Sequence, residues 1–439
     1  MTDHSISGIA TALFHTFGCK LNFAETSTVA NIFRQRGIRR VAEGETPDLI
    51  VINSCSVTDL ADKKCRQAIR SFAKRYPNAP IIVTGCYAQL KPGEIASIDG
   101  VAIVAGSDQK QNLADFLDKW VEQHNQQLVV TPSRDITEFT PSCSRGDRTR
   151  YFLKVQDGCD YWCTYCTIPI ARGRSRSGSI QSMIEQVHQV VKEGGREVVI
   201  TGVNIGDFGK GTDKNFLDLI KELDKIDGID RYRISSIEPN LLSEEIIDFV
   251  ANSRRFMPHF HVPLQAGSDA VLKLMHRHYD TAHFRHKMEL IRQAMPDAFI
   301  GVDLMVGTRG ETLEEFEKSR DFVESLDISR LHVFPYSERP GTRALSIDHV
   351  VDQAEKHRRT EVMIDLSNKK LTEFSSRFIN TIRPVLLEHG STPGVLSGFT
   401  DNYLKVKIPA DNSLDNTIVN VELKSYNTKA EESKGVIVS

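Results

Sequence analysis

Six of the eight cysteines in this 439-residue chain stand in patterns with chemical meaning. Cys159, Cys163 and Cys166 form a C-x-x-x-C-x-x-C run. Three thiolates so close together on one loop can hold three irons of a [4Fe–4S] cluster and leave the fourth iron open to an outside ligand. A closed zinc site would need a further Cys or His partner, and none follows nearby. Cys19, Cys55 and Cys86 are arranged differently: each ends an apolar run, ALFHTFGC, LIVINSC or IIVTGC. As parallel strands, those runs would bring all three thiols out at one sheet edge, in the crevice where open α/β sheets bind ligands. They would then form a second three-cysteine cluster site. The plain alternative is three core cysteines, because free Cys is among the most buried residue types. That alternative suits Cys65, which shares a helical face with Leu60, Ala61, Ala68, Ile69 and Phe72 between Asp59 and Tyr76. Cys143 lies in a polar stretch and is expected to be incidental.

The elements that must position these residues follow from periodicity. Residues 1–130 alternate apolar runs with amphipathic helical patterns, which predicts a parallel α/β domain. The polar, turn-rich segment 131–148 predicts a linker. Over 149–372, six strand-like runs (151–158, 196–204, 230–239, 259–267, 298–307 and 330–338) alternate with helices, which predicts a partial (β/α)6 barrel with its chemistry at the strand C-terminal ends. Residues 373–439 alternate apolar and polar positions between Gly, Asn and Asp turns, which predicts a small all-β OB-like module. The fold class is therefore α/β with a C-terminal β appendage.

Composition sets outer limits. Hydrophobic residues make up 40% and charged residues 26% of the chain, which excludes collagen-like, low-complexity and largely disordered classes. No apolar stretch approaches the roughly 18–20 residues that span a bilayer, and the first residues lack a basic region followed by an apolar core. A cytoplasmic protein with no membrane partner is expected. A net charge of −3 means that any nucleic acid must be held by a local patch. A phosphate-binding Walker loop is absent, since Gly209-Lys210 lacks a glycine at Asn204 and a hydroxyl at Gly211.

The Cys159 run, with Tyr165 before its last cysteine, resembles the radical S-adenosylmethionine (SAM) superfamily over residues 148–345. That resemblance implies that the open iron chelates SAM, whose reductive cleavage gives a 5′-deoxyadenosyl radical. Phe17-Gly18-Cys19-Lys20-Leu21-Asn22, Asn53-Ser54-Cys55-Ser56-Val57, Thr84-Gly85-Cys86 and Gly158-Cys159 through Arg172-Gly173 resemble the methylthiotransferases along the whole chain. That family carries an N-terminal cluster domain, a radical-SAM barrel and a C-terminal TRAM (RNA-binding) domain. Gly18-Cys19-Lys20-Leu21-Asn22 and Lys63-Lys64-Cys65-Arg66-Gln67 resemble the members that act on threonylcarbamoyladenosine in tRNA. The isopentenyladenosine type would show Gln-Met after the first cysteine, and the ribosomal-protein type Pro-Lys. Gly307-Thr308-Arg309-Gly310-Glu311-Thr312 departs from the Gly-Phe-Pro-Gly-Glu-Thr of many relatives.

The resemblance implies two [4Fe–4S] clusters and two uses of SAM: methylation of a sulfur on the N-terminal cluster, and formation of the radical that activates adenine C2 next to the anticodon, at position 37. The C2–H is not acidic, so a general base offers no route to replacing it. Candidate SAM contacts are Tyr165, Gly195, Glu197, Asn204, Ser235, Glu238, Gln265 and Asp303. Arg172, Arg174 and Arg176 are candidates for tRNA phosphate, and Tyr403 and Lys405 for the anticodon loop, by stacking and charge. His259, His261, His276 and His278 are not needed as metal ligands. Expected partners are the tRNA anticodon loop, a low-potential electron donor and a sulfur source, around a monomer. The rivals are another modified adenosine or a ribosomal-protein residue as substrate, a barrel whose N-terminal cluster only relays electrons, and a non-catalytic RNA-binding protein with iron or zinc.

Overall fold

Strands covered on both faces read as unbroken apolar runs rather than alternations, and four such runs build the first third of the chain. The computed structural model describes residues 8–145, 149–392 and 394–438. The first seven residues and the last three of the expected linker lie outside the described residues. Thr11–Thr16, Leu49–Ser54, Ile81–Gly85 and Val101–Ala105 are parallel neighbours in one sheet. Two short edge strands, Arg39–Val41 and Gln127–Val129, extend it to six. Helix α1 (Lys20–Gln35) covers one face with Val29 and Phe33, and helix α2 (Asp59–Arg75) covers the other with Cys65, Ile69 and Phe72. Cys65 is thus a core residue, whereas Leu60, expected on the same face, is exposed in the first turn. The strand order reverses between Thr11–Thr16 and Leu49–Ser54. Crossovers leave that point in opposite directions and open a crevice at the strand C-terminal ends.

The six expected barrel strands are Arg150–Lys154, Glu197–Thr201, Arg231–Ile234, His259–Gln265, Phe299–Val306 and Arg330–Pro335. They are parallel in two hydrogen-bonded groups of three, and the groups meet only through isolated bridges such as Ser236 with His261. Five outer helices start at Ser179, Asn215, Ser243, Asp280 and Thr312, each accepting a backbone amide with its side chain. The expected linker contributes to the barrel: Ser142–Cys143 pairs antiparallel with Arg150–Lys154, which buries Cys143 at the barrel edge. A long helix, Gln353–Ser376, packs along the last barrel strand and carries Leu371 and Phe374 into the core of the C-terminal module. That module is a closed five-stranded barrel over residues 382–437. Among the described residues, no helix is long and apolar enough to cross a membrane.

Candidate cluster and cofactor site

The crevice of the N-terminal sheet gathers Cys19, Cys55 and Cys86. Cys55 directly follows Leu49–Ser54, Cys86 directly follows Ile81–Gly85, and Cys19 is the residue before α1. A Cβ added to Gly18 would lie 3.0 Å from the Cys55 Sγ, so those two loops touch. Gly85 takes φ +97°, and a Cβ there would stand 2.4 Å from the Ser54 carbonyl oxygen, so only glycine lets Cys86 approach the Cys55 loop. The Asn22 amide donates to the carbonyls of Phe17 (2.7 Å) and Ser54 (3.2 Å), tying the Cys19 loop to the Cys55 loop. Burial pushes the Cys55 thiol up to about 12, and neighbouring Cys86 and Cys19 add to the rise.

The second trio is local. Gly158, at φ +70°, passes so close to the Arg174 carbonyl that a Cβ would stand 2.0 Å from it, and the Cys159 amide donates to the Gly173 carbonyl at 3.1 Å. The loop is therefore closed on itself before any metal enters. The Tyr161 amide points at the Cys159 Sγ (3.5 Å), the Ile168 amide at the Cys166 Sγ (3.4 Å) and the Arg277 Nη1 at the Cys163 Sγ (3.1 Å). Donors aimed at sulfur are what cluster thiolates accept. Burial raises the Cys159 and Cys166 thiols to about 12, so as free thiols they stay protonated at neutral pH. Metal binding would release those protons. Among the described residues, no three His, Cys, Asp or Glu side chains are gathered to share one metal ion. A cubane asks for less, since each thiolate takes a different iron. The donor set of both trios fits a cluster.

Several polar atoms around the second trio lack a hydrogen bond, the Asp207 Oδ2 having only Lys210 at 3.8 Å. Both side-chain atoms of Asn204 and the Oδ2 of Asp207 are buried with no hydrogen bond, although the Asn204 backbone is pinned to the Gln156 Oε1 at 2.7 Å. Burial raises Asp207, with Lys210 opposing. Glu238 pairs with Arg277, and burial raises it too, with Arg277 opposing. Unmatched amide and carboxylate atoms beside a cysteine loop fit the amino, carboxylate and ribose groups of a bound SAM. Of the sequence candidates, Tyr165, Asn204 and Glu238 lie around this loop. Ser235 directly follows its barrel strand, and Gln265 ends the next one with φ +68° at a register shift, a strained conformation of the kind found at functional sites. Asp207 and Arg277 were not read from sequence, and the His276 and His278 rings that flank Tyr161 were noted there only as histidines not needed for metal. They come from turns with no periodic signal.

Other sequence expectations are corrected. Gly195 and Glu197 stand at the start of their strand, the end away from the Cys159 loop. The Glu197 carboxylate is fully buried and accepts from Arg233 at 2.9 Å, while Arg233 also donates to the Thr400 and Asp401 carbonyls. The pair fastens the small barrel to the large one and is not free for a cofactor. Asp303 sits mid-strand, 2.7 Å from the His261 Nε2, rather than at a strand end. Arg172 is not a surface arginine: at 2% exposure it donates to Glu25 (3.0 Å), Asp157 (3.0 Å) and the Asn22 Oδ1 (2.7 Å). Arg176 is bound to Asp157 and to three backbone carbonyls. Of the three, Arg174 alone is exposed. Tyr403 stacks on Phe399 and accepts from Arg150 at 3.2 Å, so its ring is committed to the interface between barrels rather than to a base. Lys405 is exposed but faces Glu432 at 3.2 Å. The small barrel also presents Lys407, Lys424 and Lys434 around the apolar Val395 and Val436.

Arg172 is the centre of a buried seam between the first two units. Glu25 of α1 also pairs with Lys110 and with Lys154 (2.8 Å), and Lys154 reaches Asp157 at 2.7 Å. Burial alone would raise both carboxyls, but the cations hold Glu25 and Asp157 below the usual carboxylate range. A second tie joins Arg339 to Asp62 and Ser56, each at 2.7 Å, just past the Cys55 loop. In the divergent loop, Glu311 accepts from the Gly307 amide and from Arg359. Arg309 pairs with Glu338 at 2.7 Å, so that loop is closed without the usual Phe-Pro.

Comparison with known proteins agrees with this architecture. The model of an uncharacterized family, UPF0004, matches residues 11–106, and that of the radical SAM superfamily matches residues 153–323. The chain is 37% identical over 94% of its length to the threonylcarbamoyladenosine tRNA methylthiotransferase MtaB of Bacillus subtilis, of which 94% is covered. It is 38% identical over 90% of its length to MtaB of Thermotoga maritima, of which 90% is covered. The radical SAM methyltransferase TsrM of Kitasatospora setae, solved with cobalamin and a [4Fe–4S] cluster, shares the fold. Its TM-score is 0.55 at 12% identity, over 89% of this chain and 80% of that one. With the cysteine loops, the barrel and the similarity over nearly the whole length in agreement, the chain belongs to the radical-SAM methylthiotransferase family and, within it, is most like the MtaB group.

Proposed function

We propose that the chain inserts a methylthio group at C2 of N6-threonylcarbamoyladenosine beside the tRNA anticodon. The observation that carries this reading is the pairing of two cysteine trios across one buried seam, one at the barrel mouth and one in the sheet crevice, in a chain most similar to MtaB proteins. Cys159, Cys163 and Cys166 would hold the radical-SAM cluster, and Cys19, Cys55 and Cys86 an auxiliary [4Fe–4S] cluster. When bound, the clusters and SAM supply the radical, the sulfur and the methyl group. The protein's own residues bind and orient. Asn204, Glu238, Ser235 and Gln265 offer polar atoms for SAM around the Cys159 loop, and Tyr165 packs beside it. The sheet 1–130 carries the sulfur site, 131–148 links it, the barrel 149–372 carries the radical site, and 373–439 binds RNA. Arg174 and the lysines of the small barrel would meet tRNA phosphate. A target adenosine must leave its stack to reach the barrel, which is cheapest in a single-stranded loop. A low-potential electron donor and a sulfur source serve the chain, which acts as a cytoplasmic monomer.

The test is anaerobic reconstitution, a count of iron and sulfide, and an assay of dithionite-dependent SAM cleavage with threonylcarbamoyl-modified tRNA, read by mass spectrometry. The expected result is two clusters' worth of iron and a methylthio-nucleoside. One cluster's worth, with SAM cleavage and unmodified tRNA, would remove the sulfur role of the N-terminal trio.

A further inference from the structure

Inside the barrel lies a cavity of about 530 Å³ that none of the six cluster-type cysteines lines. Its walls are the last three barrel strands, the start of α1, the end of the helix Gln353–Ser376 and the small barrel. One cation in it lacks a close partner: among the described residues, the Lys20 ammonium makes no hydrogen bond or ion pair, and its charge acts on Asp303 and Tyr403 across the same space. Its charged neighbours are spoken for, Asp303 by His261 at 2.7 Å and Arg330 by Glu431 at 2.6 Å. Three further lining groups, the His259 Nδ1, the Arg330 Nε and the Ser375 Oγ, are buried with no partner. Native interiors rarely leave several such atoms around one space unless water or a ligand meets them.

Position adds a second argument. Lys20 is the residue after Cys19, so the cavity begins beside the sulfur site. In adenine, C2 and the amine-bearing C6 flank the same ring nitrogen. A base with C2 at the Cys19 site therefore carries its N6 substituent off to one side, two ring corners away, where a cavity that begins at the next residue, Lys20, can take it. A threonylcarbamoyl group carries a carboxylate, a hydroxyl and a carbamoyl, and a carboxylate entering a part-buried space needs a cation.

We propose that this cavity takes the N6 side chain of the substrate adenosine and that Lys20 binds its carboxylate, selecting a threonylcarbamoyl group over an apolar one. The inference rests on the substrate proposed above. The unmatched His259, Arg330 and Ser375 atoms meet the neutral polar groups of the same chain.

The test measures binding of reconstituted full-length protein to one tRNA in three forms: threonylcarbamoyl-modified, the same group with its carboxylate converted to a carboxamide, and unmodified. Methylthio product from the modified form is followed in parallel. Wild type should prefer the carboxylate form over the carboxamide by about ten- to hundredfold, the scale of one hydrogen-bonded charge. Lys20→Gln should lose that preference while binding unmodified tRNA unchanged, and Lys20→Arg should keep most of it. Equal wild-type binding of acid and amide, or a uniform weakening of all three tRNAs in Lys20→Gln, as a phosphate contact would give, overturns the inference. Wild type needs no substitution to fold, so its acid-against-amide comparison decides the matter even if Lys20→Gln loses iron. No methylthio product from wild type would overturn the proposed substrate, and this inference with it. Product with no carboxylate preference would overturn this inference alone.

Discussion

The two cysteine trios lie either side of one seam and are assembled in opposite ways. Cys159, Cys163 and Cys166 share a single loop whose own amides and carbonyls close it, so their geometry is largely local. Cys19, Cys55 and Cys86 come from three strand ends and meet only when the parallel sheet has formed. Each trio has a buried guanidinium at hand. Arg277, beside Cys163, answers to one carboxylate, Glu238, whereas Arg172, close to Cys55 and Cys86, holds Glu25, Asp157 and Asn22 across the seam. A site made by tertiary structure is thus held by more tertiary bonds, and it should fail first when the seam is loosened.

Removing a thiol gives the largest effect and splits the trios by activity. We expect Cys163→Ala to abolish SAM cleavage. Cys55→Ala should keep SAM cleavage and lose methylthio transfer, with about half the iron gone in each, as two clusters of one type require. Identical activity losses would show that the trios are not separate sites.

Next in size is the loss of a guanidinium. Arg172→Met removes the cation shared by two buried carboxylates and leaves Lys110, Lys154 and Arg176 to hold them, and it should cost about 3 kcal/mol in urea unfolding. Arg277→Met should cost less, because Glu238, already raised by burial, can take up a proton. Equal costs would break the contrast.

Acid sharpens the same contrast, with opposite signs. Glu25 and Asp157 have folded pKa values below their unfolded ones, near 4. Their contribution is complete above that range and is lost as pH falls through the folded values. Glu238 is raised, so its contribution is present below its unfolded pKa and is lost as pH rises through the folded one. Urea midpoints taken across the acid range should show the first slope flattened in Glu25→Gln and the second in Glu238→Gln. One slope changed by both variants would contradict the assignment.

The smallest expected change is at the cap of α2, which follows the Cys55 loop. Thr58 accepts from the Ala61 amide at 3.1 Å, and Thr58→Ala should cost about 1 kcal/mol in the same unfolding measurement. A loss of N-terminal iron at so small a cost would show that the crevice tolerates even less loosening than the contrast implies.

Much of the fold was legible because its signals are local. Leu49–Ser54 and Ile81–Gly85 are apolar without a break over 49–52 and 81–83, as strands buried on both faces tend to be, and Ser, Thr, Asn or Asp stands where each outer barrel helix starts. The sequence was silent on edge strands as short as Arg39–Val41, and it offered Glu197 as a cofactor contact although that residue opens its strand, away from the C-terminal ends where the chemistry was expected.

Sequence by itself determined the spacing of the Cys159 loop, the glycines that let it and the Cys86 turn close, and the order of strands and helices, since each depends on residues near one another in the chain. Tertiary structure alone decided the fate of the charges. Arg172 and Arg176 read as a surface patch until Glu25 of α1 and Asp157 enclosed them, and Tyr403 read as a base-stacking ring until Arg150 and Phe399 claimed it. Lys20 shows the reverse: a lysine that the sequence offered only as part of a family motif becomes, in the fold, a cation on the wall of a part-buried space. A charge is worth what its surroundings make it, and Glu25 for Arg172 and Arg150 for Tyr403 lie more than a hundred residues away, so no local pattern can report them.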